Sequence, residues 1–77
     1  MKGGETVREW LKDKRTEYGY TMAQMATMLE ITEGYYSMIE SGERQKKMDM
    51  VLAGKLSSVL HITLSEIAQH EKELATG

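Results

Sequence analysis

The stretch from Met22 to Ile39 constrains the fold of this chain more than any other. Two segments of about eight residues carry apolar side chains at helical spacing, with a short turn between them. Met25, Leu29, Ile31, Tyr36 and Ile39 supply the apolar positions, and the small Ala26 stands where two helix axes must approach closely. Thr21 followed by Gln24 is a capping-box pattern for the first segment, and Thr32 is a candidate cap for the second. Ile31 falls at the corner, placed to fill the space between the helices. Two short helices meeting at a tight corner are the expected centre of the fold.

The flanking residues extend this reading to an all-α chain. Proline is absent and Met, Leu, Glu and Lys are plentiful, a composition that favours helix. A first helix is expected from about Glu5 to Tyr18, with Val7, Leu11 and Tyr18 inward and Gly19 as its stop. Gly42 should close the third helix, and a polar loop should run from Ser41 to Met48. Asp49 is a candidate cap for a fourth helix burying Leu52, Leu56, Val59 and Leu60. Thr63 and Glu66 form a second capping-box pattern, opening a short fifth helix with Leu64, Ile67, Ala68 and Leu74 on one face. Residues 5–75 are expected to be one domain, with frayed ends at 1–4 and 76–77.

Composition excludes several classes. The 77 residues include no cysteine, so disulfide scaffolds and thiolate metal sites are ruled out. No apolar run approaches the roughly 20 residues that span a bilayer, and no secretory leader pattern opens the chain, so a cytoplasmic location is expected. The formal charge of −2 speaks against a strongly basic nucleic-acid binder. Its distribution matters more: residues 1–60 hold nine basic and nine acidic groups, and residues 61–77 hold one and three. The acidic surplus lies beyond the corner motif.

At Leu11–Thr21, Ile31–Arg44 and Leu60–Ile67 the chain resembles the lambda-repressor-like helix-turn-helix domains, the Cro and XRE group of transcription regulators. The resemblance covers nearly everything from Val7 to Ile67. It implies a compact five-helix fold with the helix-turn-helix at the second and third helices, and double-stranded DNA as partner. The third helix would enter the major groove. Glu33, Gly34, Ser37 and Met38 would then face bases. Tyr35, Thr32, Thr21 and Met22 would lie beside phosphates, where helix N-termini favour anions. Three positions depart from the pattern: Met22 where many relatives have glutamine, Glu30 where glycine is usual, and the acidic Glu33. Gly34 adds no side chain for readout.

Other residues allow a functional or a structural reading. Arg44, Lys46 and Lys47 are a loop cluster that could contact phosphates, giving salt-sensitive affinity. Arg15 and Glu40 are, by the resemblance, an ion pair linking the first and third helices, a role suited to an Arg–carboxylate fork. Met25 and Met50 have core spacing, Met38 could touch a thymine methyl, and Trp10 should be partly buried. Glu66 and His70, four residues apart, read as helix-surface neighbours, and His61 as a residue closing the fourth helix. No metal site, cofactor or catalytic set is expected, and the chain is not read as an enzyme.

The expected function is sequence-specific DNA binding by a transcriptional regulator, as a repressor acting as a dimer on a palindromic operator. Pairing would use the last two helices, including Leu64, Ile67 and Leu74, and a regulatory protein partner could act on it. The alternative is a protein-interaction module on the same scaffold, such as an antitoxin, an anti-repressor or a heterodimer partner, with weak DNA binding.

Overall fold

The computed structural model describes residues 7–45 and 47–76, with side chains described as far as residue 74. Five helices follow in order: α1 (Glu9–Glu17), α2 (Met22–Leu29), α3 (Glu33–Ser41), α4 (Met50–Leu60) and α5 (Leu64–Thr76). The described residues contain no strand. The principal extents are 28 × 28 × 22 Å.

Local chemistry explains most helix starts. Thr21 accepts from the Gln24 amide at 3.1 Å, while the Gln24 side chain accepts from the Thr21 amide at 2.8 Å. Thr32 and Asp49 each satisfy an otherwise orphaned amide, of Tyr35 at 3.1 Å and of Leu52 at 2.7 Å. At α5, Thr63 accepts from the Glu66 amide at 3.0 Å and Glu66 accepts from the Thr63 amide at 2.9 Å. Three helices stop on a left-handed residue: Glu30 after α2, Gly42 after α3 and His61 after α4. Only glycine adopts that conformation without steric cost, so Glu30 and His61 are held there by the surrounding fold.

The turn between α2 and α3 is tight, and these two helices contact each other more extensively than any other helix pair among the described residues. Met25, Leu29, Tyr36 and Ile39 are completely buried, as is Ala26 but for a sliver, and Ile31 packs against them. Leu11 from α1, Leu52, Leu56 and Leu60 from α4, and Ile67 from α5 complete the core around that corner. Removing these side chains from water stabilises the fold by about 1.5–3 kcal/mol for each large residue.

Several expectations fail, and the reasons are tertiary. Helix α1 begins at Glu9, because the Arg8 amide is turned away to bond the Glu40 carbonyl at 2.9 Å. Glu5, where this helix was expected to begin, lies outside the described residues. Val7 is half exposed, and its side chain lies against Gly42. Tyr18 is also nearly half exposed, although its hydroxyl donates to the Leu60 carbonyl at 3.0 Å and its ring stacks on Tyr20. Met50 is 83% exposed and so is no core residue. Val59 is only half-buried, and Ser41 belongs to α3 rather than to the loop after it.

Helix α5 is the longest of the five at 13 residues, not a short one, and Thr76 continues it. Leu64 and Ala68 are exposed on it, while Ile67 is buried and Leu74 partly so. Trp10 is more deeply buried than expected. Its indole N–H donates to Glu71 at 2.9 Å, and its ring stacks on His70 at 5.0 Å.

Candidate nucleic-acid interface

Helix α3 is held from one side and open on the other. Tyr36, Ile39 and Glu40 are buried against the rest of the molecule, whereas Glu33, Gly34 and Ser37 are exposed and Met38 is half-exposed. A side chain added at Gly34 would meet nothing within 4 Å. That face is smooth and open at its centre, which leaves room for close approach of another surface.

The inner side of α3 is fixed by a buried polar cluster. Arg15 Nε donates to Glu40 Oε2 at 2.7 Å, and the Tyr36 hydroxyl donates to the same oxygen at 2.6 Å. A second Arg15 nitrogen donates to the Tyr20 carbonyl at 3.0 Å, so the guanidinium bridges α1, the residue leading into α2, and α3. The hydrogen bond to Glu40 raises the Arg15 pKa against the opposing effect of burial. Burial, reinforced by Glu40, raises the Tyr36 phenol far above its ordinary range, so Tyr36 stays a neutral donor. The contact is single-pronged rather than a fork, since Glu40 Oε1 has no hydrogen-bond partner among the described residues.

The positions that could meet phosphates sit at helix ends and in the loop after α3. Thr21 and Thr32 are exposed caps at the starts of α2 and α3, and Met22 is half-buried beside the core. Tyr35 is half-buried, with its hydroxyl accepting from the Gln45 side chain at 2.7 Å. Arg44 and Lys47 are exposed in the loop, and Lys46 lies outside the described residues. Glu33 opens α3, and after its end the loop carries the exposed Arg44 and Lys47 beside a single carboxylate, Glu43, before the Asp49 cap.

The sequence patterns do not reveal Arg8, which is 1% exposed. It donates to both carboxylate oxygens of Glu71 at 2.9 Å and to the Ile39 carbonyl at 2.7 Å. It also donates to the backbone carbonyls of Arg44, at 3.3 Å, and Gln45. Its partner in α5 is 63 positions away, so no local spacing could signal the pair.

Between α4 and α5 lies an apolar groove of about 470 Å³, lined by Met48, Met50, Ala53, Leu64 and Ile67 among others, with Lys47 and Lys72 at its edge. Among the described residues no cluster of three His, Asp or Glu could hold a metal ion, and no single helix is long and apolar enough to cross a membrane.

Five helices around a tight two-helix corner, with the second helix of the corner open along one face, define a helix-turn-helix protein. The chain belongs to the helix-turn-helix family, whose sequence model matches residues 11–67. It is also similar to the uncharacterized HTH-type transcriptional regulator YqaF of Bacillus subtilis (strain 168). The two are 37% identical over 54 residues, covering 70% of this chain and 68% of that protein.

Proposed function

We propose that this protein is a sequence-specific, double-stranded DNA-binding transcriptional regulator that acts as a repressor, binding a palindromic operator as a dimer. The carrying observation is α3 itself, anchored from within by Tyr36, Ile39 and Glu40 while Glu33, Gly34 and Ser37 remain open. A helix so held can lie in a major groove without reordering on contact. In this reading Glu33, Gly34, Ser37 and Met38 meet base edges. Glu33 accepts from a cytosine amino group and Met38 touches a thymine methyl. Thr21, Met22, Thr32, Tyr35, Arg44, Lys46 and Lys47 lie along phosphates. The family membership and the regulator name of the relative support the DNA-binding part of this reading, in which the protein acts in the cytoplasm.

With a net charge of −2, non-specific attraction to DNA is weak, so recognition leans on fit and on doubling of contacts. Two-fold pairing would set half-sites one helical turn apart, about 34–36 Å. The apolar groove between α4 and α5 and the exposed Met50 and Leu64 support pairing through that face by a second copy.

Selection of bound sequences from a random DNA pool, followed by salt titration, tests the reading. The expected outcome is a defined palindromic site whose affinity falls steeply with salt. Lys47→Ala should make that slope shallower by about 1, without changing which sequence is selected. Weak binding without sequence preference, unmoved by this change, would instead favour a protein-interaction module.

A further inference from the structure

The Arg8 cluster lies outside the helix-turn-helix itself, yet it joins α3, α5 and the start of the basic loop. Its guanidinium joins Glu71 of α5, the Ile39 carbonyl near the end of α3, and the carbonyls of Arg44 and Gln45. Gln45 then continues the chain of contacts. Its backbone is left-handed at φ 58°, its side-chain amide donates to the Tyr35 hydroxyl, and its side-chain oxygen accepts from the Asp49 amide at 2.9 Å. The Arg44 amide, in turn, donates to the Met38 carbonyl at 3.1 Å. One buried cation thus fixes a loop that has exposed cations of its own.

Loops of this kind ordinarily lose conformational freedom when they bind, and the loss subtracts from affinity. At Arg44 and Gln45 that freedom is already reduced, by a side chain reaching in from the residue before α1 and paired with Glu71 of α5. We infer that Arg8 and Glu71 are positioning residues for DNA binding: they preset the loop carrying Arg44 and Lys47 for phosphate contact and tie its geometry to α5. This rests on the DNA-binding reading above. Neither residue touches DNA in it; both act through the loop backbone.

Two variants test the inference. Glu71→Gln keeps the shape of the side chain but leaves Arg8 without its counter-charge. Replacing both partners, Arg8→Met with Glu71→Met, removes the clamp while avoiding an unpaired buried charge, a change that folded proteins often tolerate. Backbone order is measured by NMR relaxation without DNA, and affinity is measured across a salt series on the selected site.

The expected result is loss of order at Arg44 and Gln45, to order parameters below about 0.6, while α2 and α3 stay near 0.85. Affinity should fall roughly three- to tenfold, with a salt slope shallower by about 1. Folded variants with the wild-type loop order and salt slope would overturn the inference alone. Wild-type protein without salt-dependent DNA binding would overturn the DNA reading and the inference together. A double variant that fails to fold would make Arg8 a determinant of the fold rather than of the loop, and overturns the inference as well.

Discussion

Glu30 shows how a single residue can sit against its own preference. It ends α2 at φ 63° and ψ 40°, a conformation in which an L side chain crowds its own backbone. Its amide still bonds the Thr27 carbonyl at 3.1 Å, and the next residue reaches back to Ala26 at 2.9 Å, so the corner overrides the local strain. The contact from Glu30 to Lys55 at 3.7 Å offsets little, because the Glu30 side chain is 80% exposed. Replacing Glu30→Gly should therefore stabilise the protein by about 1 kcal/mol, raising the melting temperature by roughly 4–8 °C. Thermal unfolding followed by circular dichroism checks this, and a lower midpoint would refute it. Gly42 is the opposite case. At φ 86°, with Val7 Cβ 3.1 Å from where its own Cβ would be, it both needs and uses the absence of a side chain.

At the scale of elements, the starts of α2, α3, α4 and α5 are legible in the sequence because each depends on partners three residues apart. The start of α1 is not, since Arg8 spends its backbone amide on Glu40 at the far end of α3. The faces of α4 and α5 are legible only in part. Leu52, Leu56, Leu60 and Ile67 follow the helical repeat inward, but Met50 and Leu64 occupy helix starts that the neighbouring elements do not cover. Helices α1 and α3 are coupled through the buried Arg15–Glu40 contact, and that coupling gives the clearest stability prediction. Glu40→Ala leaves the Arg15 charge without its carboxylate and should destabilise the fold by about 3–5 kcal/mol. For a domain this small, that is comparable to its entire stability, about 3–5 kcal/mol. Urea denaturation measures it, and a loss within about 0.5 kcal/mol, the range of ordinary surface changes, would contradict a buried structural role.

At the scale of the whole molecule, the question is how a protein of net charge −2 engages a polyanion. Dimerisation through the α4–α5 face is the proposed answer, and it carries a prediction separate from DNA binding. Met50 is 83% exposed and lines the groove, so Met50→Glu should abolish self-association while leaving the melting temperature of the monomer nearly unchanged. Sedimentation across a concentration series reads this directly. A wild-type protein that remains monomeric at high concentration, with or without operator DNA, would remove the dimer from the proposed function.

The sequence by itself determined the helix-turn-helix: its caps, its apolar corner and the small residue at the crossing all act between residues close in the chain. It also separated a charge-neutral body from an acidic tail. The tertiary structure decided how the loop after α3 is held, since Arg8 and Glu71 meet across 63 positions and a buried arginine has no local signature. It likewise decided which apolar residues stay in water, because Val7, Met50 and Leu64 fit an inward pattern yet remain at least about half exposed among the described residues. Short-range hydrogen bonds and helical repeats are written into adjacent residues. The burial of a charge and the exposure of a methionine depend on what the rest of the chain brings beside them.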